Sequence, residues 1–242
     1  MKVVLLPGLD GTGILFKPLT DALSKDIDTM VISYPPDLNM SYRELVEFVM
    51  GQLPKEEFIL VGESFSGPIA YQIALLKPKT IKSVIFVATF LENPRRYFLN
   101  LSRLLPKNFI LTMPIPDFIV RYFILGSAVD RQVINLYKQT IKKRSPSVLS
   151  FRLNEISKLS ASKEPCDLRA IYIQATNDLL VPGSCVEVFK KVFKRLNVFR
   201  VRGSHFILQT NPIACAEIIE NEIRFITGQS TISMVCHDCK GL

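Results

Sequence analysis

Gly62-Glu63-Ser64-Phe65-Ser66-Gly67 places a serine between an apolar run and a second apolar stretch that opens at Pro68. A serine hydroxyl attacks an acyl carbon when a sharp strand-to-helix turn lifts its Oγ clear of the backbone and a base can reach it. That turn forces strand and helix together, so the residues two before and two after the serine must be small. Gly62 meets the first demand. Ser66 stands at the second, where the G-x-S-x-G pattern has glycine, and Gly67 follows at once. Ser66 cannot take the nucleophile's place, because its own flanks, Ser64 and Pro68, lack the small pair. The competing reading is a helix-capping serine in a glycine-rich turn.

A serine nucleophile needs a base, and near neutral pH that is an imidazole. The chain has two histidines: His205, in Arg202-Gly203-Ser204-His205-Phe206, and His237, in the C-terminal segment. The imidazole in turn needs a carboxylate to fix its tautomer. Asp178 lies in Ala175-Thr176-Asn177-Asp178-Leu179-Leu180, just past an apolar run, where a plain turn-forming Asp is the alternative. Asp167 precedes that run, at the wrong end. Glu92, after an earlier run, is the rival acid, and Glu63 receives no role from sequence.

Two other clusters imitate known sites. Pro7-Gly8-Leu9-Asp10-Gly11-Thr12-Gly13 is glycine-rich but lacks the Gly-Lys-Ser/Thr ending of a phosphate cradle. Cys236-His237-Asp238-Cys239 has half the spacing of a zinc site with no second pair nearby. The five cysteines are odd in number and scattered, so reduced thiols are expected. We expect no metal and no cofactor.

The elements that must hold these residues alternate. Apolar runs at Lys2–Leu6, Thr29–Tyr34, Phe58–Gly62, Ser83–Thr89, Ala170–Thr176 and Asn197–Val201 read as strands. Helices are expected over Leu15–Leu23, from the capping box Ser41–Glu44 to about Leu53, and from the elbow to near Pro78. A second capping box, Ser184–Glu187, and a final helix capped by Asn211 with Pro212 at its first position complete the set. Such alternation gives a mostly parallel sheet with helices on both faces, and sites at the carboxyl ends of its strands. The notable Ser, Asp and His residues all follow strands.

With these residues in place, the chain resembles the α/β-hydrolase superfamily over about residues 2–90 and 170–225. GESFSGPIA and LLPGLDGTG together are similar to small bacterial lid-bearing esterase- and thioesterase-like hydrolases. The resemblance implies the triad order Ser64, Asp178, His205. It also implies an oxyanion hole formed by the backbone N–H groups of Phe65, after the nucleophile, and Leu9, where a Pro-Gly pair stands in place of the His-Gly of many relatives. The organisation expected is a hydrolase domain over residues 1–228, a helical lid insertion at 91–165 and a tail at 229–242.

Charge sets the insertion apart. Between Leu91 and Pro165 there are 13 basic and five acidic residues, an excess that equals the net +8 of the whole 242-residue chain, so the rest is neutral. The same segment is rich in large apolar groups from Phe98 to Leu125. A substrate with an apolar acyl chain is expected, as a carboxylic ester cleaved through an acyl-enzyme. A thioesterase or acyltransferase acting on acyl-CoA or a carrier-bound acyl group is the alternative, and a non-catalytic binding protein is the alternative of another class. The basic segment suits an acidic acyl carrier or an anionic lipid surface. No recognition motif for nucleic acid accompanies it. The chain carries no run of about 18 uncharged apolar residues and no signal-like cleavage site, so a cytoplasmic location is expected.

Overall fold

The computed structural model describes residues 1–94, 131–143, 145–160 and 164–229. Six strands form one sheet: β1 (Lys2–Leu6), β2 (Thr29–Val31), β3 (Phe58–Glu63), β4 (Ile81–Val87), β5 (Ala170–Ala175) and β6 (Leu196–Val201). The order is β2-β1-β3-β4-β5-β6 and every pair is parallel. Strands buried on both faces read as continuous apolar runs, and successive residues serve opposite layers. Val4, Leu6, Phe58, Leu60, Val84, Phe86 and Tyr172 point into one core, against the helices α2 (Tyr42–Met50), α3 (Gly67–Leu76) and α6 (Val186–Val192). Val3, Leu5, Ile59, Val61, Ile85, Val87 and Ile173 point into the other. That layer is closed by α1 (Lys17–Ala22), α7 (Ile207–Thr210) and α8 (Pro212–Thr227). Between α3 and α6 lie α4 (Arg131–Lys143) and α5 (Pro146–Lys158), in the second half of the expected insertion.

Most elements stand within two residues of expectation, and the departures have local causes. Strand β2 stops at Val31 instead of reaching Tyr34. It is an edge strand, and Tyr34 N–H leaves the ladder to donate to Gly11 O at 2.8 Å, binding the loop after β1. The helix expected over Leu15–Leu23 divides into a 3₁₀ turn at Ile14–Phe16 and α1. The capping box at Ser41–Glu44 forms in full. The one at Ser184–Glu187 does not: Pro182 opens a 3₁₀ turn over Gly183–Cys185, so Ser184 already lies inside a helical turn, and Glu187 pairs with Lys190. Asn211 does occupy the N-cap of α8, but its side chain donates to Arg202 O instead of capping the helix.

Cys166, Cys185 and Cys215 are buried free thiols. The Cys236–Cys239 cluster and the apolar series from Phe98 to Leu125 lie outside the described residues, among which no cluster of metal-ligating side chains occurs. No helix among them is long and apolar enough to cross a membrane.

Candidate active site

The chain leaves β1 toward β2 on one side, then returns to lay β3 on the other. That reversal opens a crevice at the carboxyl ends of β1 and β3, where open α/β sheets bind ligands. The loop after β1 and the turn after β3 both end there. Gly8 Cα faces Ser64, with a methyl built on Gly8 reaching 3.8 Å from Ser64 Cβ.

Ser64 adopts φ 49°, a left-handed conformation that costs a non-glycine residue roughly 1–2 kcal/mol. It is held there from both sides. Thr89 Oγ1, at the end of β4, donates to Ser64 O, and α3 starts immediately at Gly67. A Cβ on Gly62 would stand 2.8 Å from Ala70 Cβ and 3.0 Å from Ser66 O, and one on Gly67 would overlap the Thr89 side chain. The small residues of the motif are therefore demanded by close backbone approach. Ser66 is fully buried at the position where the pattern has glycine. Its hydroxyl donates to Pro7 O and is bonded to Tyr34 OH, so the added side chain ties the elbow to the loop after β1.

His205 Nε2 lies 2.9 Å from Ser64 Oγ, and His205 Nδ1 lies 2.8 Å from Asp178 Oδ2. The second oxygen, Asp178 Oδ1, accepts N–H bonds from Leu180 and Val181, each 2.8 Å long. His205 is 7% exposed, and its ring stands edge-on to Phe206. The structure thus brings Ser64, Asp178 and His205 into one chain of hydrogen bonds. Glu92 is left out of it, near the Cys185 thiol, which burial and that carboxylate push up to about 11. Asp167 is at the far end of β5, paired with Lys77 and Lys194.

Phe65 is enclosed by Tyr34, edge-on at 6.3 Å, and Tyr42, stacked at 4.8 Å. On the other side of the crevice Gly11 N–H donates to Gly8 O at 3.0 Å. This turn fixes the Gly8–Leu9 peptide plane and turns the Leu9 N–H away from that bond. Of the two residues expected to supply oxyanion donors, Phe65 is fully buried and Leu9 is half-buried against the same core.

Three further side chains, Glu63, Gln209 and Arg152, are built into the site. Glu63 is 5% exposed and accepts a 2.9 Å bond from Gln209 Nε2, which also holds Leu15 O. Burial pushes its carboxyl up to about 7, and the neighbouring Asp10 charge adds to the shift, while Gln209, His205 and the Gly8 N–H oppose it. A carboxyl raised by folding is protonated more readily in the folded than in the unfolded chain, so stability falls as pH rises from about 4.5 to about 7. Glu63→Gln is expected to remove that slope, worth on the order of 3 kcal/mol between its ends. Urea melts of both proteins from pH 4 to 8 check this, and parallel profiles would contradict it. Arg152, counted in sequence with the basic surface of the insertion, is instead 3% exposed. Its signal was available: Leu149, Arg152 and Ile156 share one helical face, so an arginine occupies a core position.

A family model described as the alpha/beta hydrolase fold matches residues 3–212. Among solved structures, a lipase-esterase related protein from Clostridium acetobutylicum superposes with a TM-score of 0.70 at 17% identity, covering 91% of this chain and 93% of that one. The RedJ thioesterase of the prodiginine pathway in Streptomyces coelicolor gives 0.65 at 14% identity, covering 92% and 89%. The type II thioesterase BorB of the borrelidin biosynthetic cluster gives 0.69 at 14% identity, covering 92% of each. At such identities the likeness is one of fold. No curated protein sequence matches the chain. The matched span runs from the first strand past His205 and takes in the loop after β1, the elbow and both loops that bear Asp178 and His205: the chain belongs to the α/β-hydrolase fold family.

Proposed function

We propose that this protein hydrolyses a carboxylic acyl ester through an acyl-enzyme on Ser64. Ser64 Oγ attacks the acyl carbon while His205 Nε2 takes its proton. The carbonyl oxygen becomes an oxyanion held by the N–H groups of Leu9 and Phe65. Collapse expels the alcohol, which receives the proton from His205. A water then attacks the acyl-enzyme by the same route, releasing the acid and restoring the serine. Asp178 holds the imidazole tautomer and stabilises the imidazolium throughout. The observation that carries this reading is the relay from Asp178 Oδ2 through His205 to Ser64 Oγ, with bonds of 2.8 and 2.9 Å, on a serine kept at φ 49°.

An apolar acyl group suits the surroundings. Val133 and Tyr137 of α4 pack on Leu15 and on Phe206, the neighbour of His205, and Leu179 and Leu180 are exposed beside Asp178. A thioester substrate is the second reading. It is favoured by two of the similar folds being thioesterases and by the basic excess of the insertion, which suits an acidic acyl carrier or an anionic lipid surface.

A panel of nitrophenyl esters from acetyl to dodecanoyl, run beside acyl-CoAs of the same lengths, tests both. We expect kcat/KM to rise with chain length by about tenfold for every two methylenes buried. For the acyl-CoAs we expect a fall when salt is raised from 50 to 500 mM, because exposed charges are screened within about 10 Å. Equal rates on acetyl and longer esters remove the apolar acyl group, and salt-independent rates remove the acidic partner.

A further inference from the structure

We propose that Arg152, carried by the insertion helix α5, is a positioning residue for the oxyanion hole: its guanidinium clamps the Leu9 carbonyl while lying over the ring of Phe65. The inference rests on the reading of Leu9 and Phe65 as the two donors. Arg152 Nη1 donates to Leu9 O at 3.0 Å and Nη2 to Pro35 O at 3.3 Å. Its guanidinium carbon stands 5.9 Å from the centre of the Phe65 ring and 5.5 Å from that of Tyr34. One cation therefore touches both residues expected to supply the donors, together with the tyrosine that bonds Ser66.

The approach is built for this group. Gly11 has φ +73°, and any side chain on it would run into the guanidinium, so the loop after β1 leaves the space that Arg152 fills. The guanidinium forms no salt bridge with a carboxylate among the described residues. A buried arginine hydrogen-bonded to backbone carbonyls and packed on aromatic faces, with the Asp10 charge near but outside ion-pair distance, is expensive to desolvate, and an apolar residue of similar volume is often as stable at such a place. Stability alone thus gives little reason for an arginine here, whereas holding a carbonyl in one orientation does. A lysine ammonium is a compact point charge whose three donors leave from one nitrogen, so it lacks the two separated nitrogens with which the planar fork reaches Leu9 O and Pro35 O. The loop is consequently gripped on either side of Gly8: Pro7 O by Ser66, and Leu9 O by Arg152. Through Arg152, the placement of α5 sets the shape of the hole.

The test uses the full chain with Arg152→Met and Arg152→Lys. Each is assayed for kcat and KM on a medium-chain nitrophenyl ester, for inhibition by a trifluoromethyl ketone whose adduct carries an oxyanion, and for melting temperature. We expect kcat to fall about 10- to 100-fold in both, less than the 10²–10³ of losing a donor outright. KM should change less than threefold, and the ketone should weaken by the same factor as kcat/KM. Either variant with kcat within twofold of wild type overturns the clamp. So does a loss of activity that follows melting temperature and leaves the ketone's affinity for the folded fraction unchanged. If the wild type itself neither turns over esters nor binds the ketone, the hydrolytic reading fails, and the clamp falls with it.

Discussion

Ser64→Ala is expected to lower kcat on any ester that the wild type cleaves by about 10⁶-fold, leaving a rate that no longer depends on His205. The relay delivers its effect through one atom. Without Oγ, the imidazole 2.9 Å away has no proton to take and the acyl group no place to attach. His205→Ala should cost about as much, and the double variant little more than either, because the groups act as a unit. Substrate binding should persist, since the apolar wall of Leu15, Tyr137 and Phe206 is untouched. Ser64→Ala should also melt within a few degrees of wild type, because alanine carries the same left-handed strain at φ 49° as serine does. A fluorophosphonate that labels the wild type should leave this variant unmodified. Retention of more than about 1% of kcat, or unchanged labelling, would move the nucleophile elsewhere and reduce the site to a binding pocket.

The sheet and the site were legible in sequence to different degrees, for different reasons. A parallel sheet buried on both faces leaves runs such as Lys2–Leu6 and Phe58–Gly62, and its helices leave periodic faces, so the order of elements could be read directly. Ser64 could be read because a tight turn between strand and helix demands small neighbours, a local constraint that the sequence must obey. His205 and Asp178 came from scarcity, from position after a strand and from resemblance. Their convergence is a long-range fact that no local pattern encodes, the serine and histidine being 141 residues apart. What stayed hidden is of the same kind. Ser66 looked like a departure from the motif, and its use emerges only when Pro7 and Tyr34 fold back on it. Glu63 looked idle because its partner, Gln209, is on a distant helix. Arg152 reads as one more surface charge, since a count of basic residues carries no direction. The failed capping box at Ser184 shows the converse: a local motif lost to a turn whose N-cap is Pro182, two residues before the serine.

Asp178→Asn should be the second most damaging change at the site, and the hydrogen bonds around the carboxylate say why. Asp178 Oδ1 accepts from the N–H groups of both Leu180 and Val181. An asparagine must keep its carbonyl oxygen at that place, because its NH₂ group would otherwise face two donors. The amide nitrogen then points at His205 Nδ1, 2.8 Å from the present Oδ2 position. That ring nitrogen has to accept, which forces the imidazole proton onto Nε2. Facing Ser64 Oγ, a protonated Nε2 can donate a hydrogen bond but cannot take the serine proton. The geometry survives while the tautomer is wrong, and a loss of about 10⁴ in kcat is expected. Because the turn keeps both of its N–H bonds, the melting temperature should fall only a few degrees. Glu92→Gln, at the rival carboxylate, should stay within threefold of wild type, since that side chain neighbours Cys185 and is absent from the relay. Steady-state kinetics at neutral pH on the two variants decide the matter. Asp178→Asn with more than a tenth of wild-type kcat, alongside a crippled Glu92→Gln, would transfer the acid's role to the end of β4 and require His205 to turn toward it.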